Sequence, residues 1–73
     1  MKRVVVSIHT KILEITCTVN VFKTDEEYDK YIQLLYDAQI GNVSQLKVHD
    51  EYREYLIPKK ILKRSIITIY NLP

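Results

Sequence analysis

Leu13-Glu14-Ile15-Thr16-Cys17-Thr18-Val19-Asn20-Val21 is the stretch on which the fold turns. Apolar and polar residues alternate along it without a break. Successive strand side chains point to opposite faces, so the pattern predicts one long, half-buried β-strand from about Ile12 to Phe22. Its apolar set (Leu13, Ile15, Cys17, Val19 and Val21) should face a core. Glu14, Thr16, Thr18 and Asn20 should face away from it.

Upstream, Arg3 to Ile8 is rich in β-branched residues and puts Val4, Val6 and Ile8 on one face. The polar break His9-Thr10-Lys11 separates the two runs and suggests a hairpin. That turn contains neither Gly nor Asn, so no standard two-residue geometry is implied.

Downstream, the period changes. Thr24-Asp25-Glu26-Glu27 has the form of a capping box, in which Thr24 accepts from the Glu27 N–H and Glu27 reaches back to Thr24. Three acids in one turn favour the positive end of a helix dipole. Tyr28, Tyr31, Ile32, Leu35 and Ala38 recur at helical spacing and form one apolar stripe, with Leu34 and Tyr36 off it. Gly41, the only glycine, stands where a helix needs a left-handed C-terminal residue. The spacing predicts a helix over about Asp25 to Ile40.

Beyond Asn42 the pattern loosens. Val43, Leu46 and Val48 suit a strand. Asp50-Glu51 reads as a turn with Tyr52 to Ile57 returning, while a rival reading makes Asp50 the cap of a short helix. The hairpin is preferred because Ile57 precedes Pro58 and is held extended. Pro58 can open one helical turn through Lys63, anchored by Ile61 and Leu62. Ser65 to Tyr70 then forms a last strand, apolar on both faces and so expected to lie centrally or under the helix. The order is ββαβββ over a single domain, residues 1–73: an α+β fold, a small antiparallel sheet with one helix packed on one face.

A chain of 73 residues buries a thin core, and self-association is one way to add burial. Cys17 is the only cysteine, so no disulfide staples the fold. A secreted domain this small usually carries several, and the apolar run after Lys2-Arg3 stops at Ser7 with no cleavage signal after it, so a cytoplasmic protein is expected. No run approaches the roughly 20 apolar residues of a membrane span. The amphipathic helix carries Asp25, Glu26, Asp29 and Asp37 on its polar face, the wrong sign for anionic lipid, so no membrane role is expected.

Cys17, His9 and His49 lack any paired metal-ligand spacing, and Cys17 falls on the inward face of its strand, where a thiol is inert. One glycine cannot build a phosphate loop. No catalytic set, metal site, cofactor or small-molecule substrate is expected, and the protein reads as non-enzymatic. Two binding readings remain. Six tyrosines are many for this length, and tyrosine is enriched at interfaces. Tyr52, Tyr55 and Tyr70 are the candidate residues for a protein partner or for a homodimer. The alternative is a nucleic acid: Lys59, Lys60, Lys63 and Arg64 lie in a segment, Pro58 to Pro73, without a single acid. Net charge is only +2, which argues against a polyanion as the whole story. The Lys-, Ile- and Tyr-rich, glycine-poor composition is of the kind found in short proteins of AT-rich bacteria and their phages, and a bacterial, phage or mobile-element origin is expected.

Overall fold

The computed structural model describes residues 1–73. Strand β1 (Lys2–His9) is followed by β2 (Glu14–Thr16), β3 (Asn20–Phe22), helix α1 (Asp25–Ile40), β4 (Gln45–His49), β5 (Glu54–Pro58), the single-turn helix α2 (Lys59–Leu62) and β6 (Ile66–Leu72). The fold is α+β with antiparallel sheets and one main helix, as the sequence predicts. There are two sheets, however. Strand β1 is central in the first, with β6 along one side and β2 and β3 end to end along the other. Strands β4 and β5 form a separate hairpin.

The predicted long strand breaks in two. Thr16 lies opposite Ser7, and Asn20 opposite Val4. Four steps along this strand therefore match three along β1, so one extra residue is inserted between β2 and β3. Such a bulge reverses the side-chain alternation beyond it. Before it, Ile15 lies opposite Ile8 and is buried, as expected. After it, Asn20 and Phe22 take the core side, opposite Val4 and Lys2. Val21 lies opposite Arg3 on the other face, 54% exposed. Val19 and Leu13 are also exposed, so only Ile15 and Cys17 of the five predicted inward residues are buried. Asn20, expected outside, points inward and donates to the Tyr31 hydroxyl at 3.5 Å.

The bulge also joins the sheets. The Cys17 N–H donates to Val6 O at 2.9 Å, keeping the first sheet closed. The next N–H, of Thr18, turns away and donates to His49 O at 3.3 Å. The β4–β5 hairpin is thereby hung beside α1 and α2 over the same face of the first sheet. The core between them is Val6, Ile8, Ile15 and Cys17 from below, with Leu35, Ala38, Leu46, Val48, Ile57 and Leu62 from above.

Local signals explain the remaining elements. Thr10 builds the β1–β2 turn that lacks Gly and Asn: its hydroxyl accepts from the N–H of Ile12 and of Leu13 and donates to Leu13 O. Thr24 caps α1 by accepting from the Glu27 N–H at 3.2 Å. The Glu27 carboxylate accepts from Lys23 N–H, one residue earlier than the box predicts. Gly41 has φ 89°, and N–H groups of Gly41 and Asn42 close on Ala38 O and Asp37 O, a Schellman ending. Pro58 ends β5 and caps α2 from an extended conformation, so α2 begins one residue later than predicted.

Strand β6 is not central, the first of its two expected places. It bonds only to β1 and is an edge strand. Ile67 and Ile69 pack against the core, while Ile66 and Tyr70 lie on the opposite, open face. Apolar residues on both faces here mark one covered face and one bare one. The shortest molecular dimension, 17 Å, is that of two layers.

The register predicts a contrast in stability. Ile8→Ala removes a fully buried side chain and should cost about 2–5 kcal/mol. Val21→Ala, in the core by simple alternation but exposed by the bulge, should change stability by less than about 0.5 kcal/mol. Urea unfolding of the two variants measures both.

Candidate functional site

The bare face of the first sheet is built by register. Arg3, Val5, Ser7 and His9 of β1 face outward, with Leu72, Tyr70, Thr68 and Ile66 of β6 opposite them. On the other side of β1 lie Val21, Thr16 and Glu14. The face divides in two. Near the β1–β2 turn it is mainly polar: Ser7 Oγ donates to Glu14 Oε1 at 3.4 Å, and His9 Nδ1 lies 3.8 Å from Glu14 Oε2. At the far end Val5, Val21, Tyr70 and Leu72 surround the exposed Arg3, with no layer above them, and the face is mainly apolar.

The β4–β5 turn reaches this apolar end. Val5, Thr16 and Val19 line a cleft of about 450 Å³ with Asp50, Glu51 and Tyr52. Tyr52 is 90% exposed there. Tyr70, 54% exposed, lies across the strand from the same Val5. Two of the three candidate tyrosines thus border one surface. The third does not: Tyr55 faces the core from β5, half-buried, and its hydroxyl donates to Asp50 Oδ2 at 2.9 Å. Val5, Val19, Val21 and Leu72 are members of the surface that the sequence does not mark. Val19 and Val21 were hidden by an alternation that carries no sign of the extra residue.

Asp50 holds the turn that presents Tyr52. Its Oδ1 accepts from the N–H of Tyr52 and of Arg53, both at 2.8 Å. These bonds to the carboxylate, helped by the Tyr55 hydroxyl and the Arg53 guanidinium, hold its pKa below the ordinary range. The Tyr55 phenol is pushed up, first by that same bond to Asp50.

A second surface gathers positive charge. Lys11 and Ile12 of the β1–β2 turn meet Lys60, Ile61, Lys63 and Arg64 around a cleft of about 510 Å³. None of these cations forms an ion pair; the four pairs in the molecule are His9–Glu14, Lys30–Glu26, Lys47–Glu54 and Arg53–Asp50. Three of the four predicted basic residues line the cleft. Lys59 does not, and Lys11 joins from a distant part of the chain. Lys63 has a further structural role, because its stem lies against Gly41 at the end of α1.

Cys17 and His49 meet at the bulge and line one small cleft with Tyr31. The thiol is buried, and burial, with the Asp50 charge, pushes its pKa up against a weaker pull from the His49 backbone. A raised thiol pKa keeps the sulfur protonated and opposes nucleophilic use. No three His, Cys, Asp or Glu side chains converge as a metal site would need. No helix is long and apolar enough to cross a membrane. Comparison with protein-family models, curated proteins and solved structures gave no match.

The Asp50 bonds have a pH signature. A carboxylate whose pKa is lowered on folding stabilises the fold fully above its unfolded value, about 3.9, and loses that contribution as pH falls through the lower folded value. Asp50→Ala should therefore lower the melting temperature at neutral pH. The gap from the parent chain should narrow as the pH falls below that unfolded value. Melting curves at neutral and acid pH, followed by circular dichroism, provide the check.

Proposed function

We propose that this chain is a small, non-enzymatic protein-interaction module of the cytoplasm that binds through the open side of its four-stranded sheet. One observation carries the reading: the apolar end of that face, Val5, Val21, Tyr70 and Leu72, has no covering layer, and Tyr52 is presented beside it. Exposed apolar groups gathered on one face and rimmed by polar ones are characteristic of binding surfaces. Tyrosine suits the task because it offers apolar area with a polar tip at low entropic cost. The protonated, buried thiol of Cys17 supports a non-enzymatic role, and a single cysteine suits a reducing compartment.

The test is a paired capture experiment. The chain should retain a protein partner, its own copy included, that a Tyr70→Lys/Val21→Lys variant does not retain. Both residues are exposed, so the variant keeps its core. An unchanged set of captured proteins would remove the open face from the reading.

A second reading rests on the basic cleft. Four unpaired cations around two exposed isoleucines suit a polyanion, and single-stranded nucleic acid is the form a cleft of this size can track. Lys11→Glu/Lys60→Glu is the cleaner variant, since Lys63 also packs on Gly41. It should weaken oligonucleotide binding at low salt by about tenfold or more, with less effect at high salt, where the phosphate contribution is already screened. Fluorescence anisotropy with a labelled oligonucleotide reads this directly. Equal binding by the variant would dismiss the cleft.

A further inference from the structure

Four strand edges are defended and one is not. Strands β2 and β3 are three residues each, interrupted by the bulge, and β2 begins with Glu14. Strand β4 carries Lys47 and His49, and β5 carries Glu54 and ends on Pro58. Short strands, bulges, charges and proline are the usual means of blocking edge pairing. Strand β6 has none of them. Its seven residues, Ile66-Ile67-Thr68-Ile69-Tyr70-Asn71-Leu72, hold no charge, no proline and no glycine.

The direction of its free groups follows from register. The carbonyl of Val6 points towards the bulge, since it accepts from the Cys17 N–H. Along a strand the backbone groups alternate sides, so Arg3, Val5, Ser7 and His9 bond towards β6. Their partners Leu72, Tyr70, Thr68 and Ile66 use their groups on β1. Ile67, Ile69 and Asn71 therefore aim their N–H and C=O groups at the empty side.

We propose that β6 pairs antiparallel with β6 of a second copy, about a two-fold axis at Ile69, giving a continuous eight-stranded sheet. This deepens the interaction reading by naming the partner, and it rests on that reading for the role of the open side. Only this register overlaps all seven residues. It sets Ile67 opposite Asn71, Ile69 opposite Ile69, and Asn71 opposite Ile67, and each pair exchanges two hydrogen bonds. Every group aimed at the empty side is satisfied. Ile66 stands opposite Leu72, and Thr68 opposite Tyr70, all on the open face, and the two Tyr70 residues become diagonal neighbours across the axis. No like charges meet, because the strand carries none.

Sedimentation equilibrium or light scattering should give twice the monomer mass, falling to the monomer on dilution. Asn71→Pro removes only an outward N–H and should shift the dissociation constant upward by tenfold or more, with the monomer's circular dichroism intact. The double variant Ile66→Cys/Leu72→Cys should form an intermolecular disulfide under mild oxidation, because the two positions oppose each other across the axis. Ile66→Cys alone should not, its nearest copy lying about 20 Å away along the strand. A monomer at every concentration would overturn the inference and leave a different protein as the partner of the open face. A dimer indifferent to Asn71→Pro and without the 66–72 cross-link would place the second copy elsewhere and overturn it equally.

Discussion

The extra residue between Thr16 and Asn20 is the constraint on which the rest of the molecule depends. It reverses the alternation, sending Val21 to the open face and Asn20 and Phe22 to the core side. Beside it the Thr18 N–H, which alternation turns away from β1, fastens the β4–β5 hairpin through His49 O. Cys17 is buried where the hairpin and α1 meet. A regular strand would turn Val19 and Val21 to the core side and put Asn20 on the open face. Val21 thus joins the surface with which the protein is proposed to bind through one inserted residue.

How far the sequence can be read follows from how local each cause is. The helix was legible in full because its start, stripe and stop are written in adjacent residues: Thr24, the series Tyr28 to Ala38, and Gly41. Strand β1 was legible from Val4, Val6 and Ile8, which are fully buried. The hairpin at residues 50–57 is legible because Pro58 restricts its neighbour. The bulge left no mark, since none of Cys17, Thr18 or Val19 is a Gly or Pro and the alternation runs through them. The bond made there, from Thr18 N–H to the distant His49 carbonyl, is one that a one-dimensional pattern cannot supply. The basic cleft shows the same division: Lys60, Lys63 and Arg64 are neighbours in the chain, whereas Lys11 arrives only through the β1–β2 turn. Of the tyrosines, Tyr52 and Tyr70 come to one face by register and Tyr55 is taken by Asp50.

The thinness of the core gives the undefended edge its physical sense. Only 13 of 73 residues are buried, and one layer covers one face of the main sheet. A domain of this size has little surplus of apolar burial over the entropy of ordering its chain. Most small antiparallel domains in that position keep their bare face polar and their edges charged. Here the polar residues gather at one end, around Ser7, His9 and Glu14, while the other end holds Arg3 alone among apolar residues and meets an uncharged edge. The apolar end and the free edge share β6, whose Tyr70 and Leu72 belong to the first and whose Ile67, Ile69 and Asn71 belong to the second. One strand therefore carries both the hydrogen-bonding capacity and the apolar surface that an associating partner needs. Pairing along the edge without burial on the face would be weak, and burial on the face without the edge would lack register. Their coincidence on β6, at the opposite side of β1 from the bulge, is the physical ground of the proposed pairing.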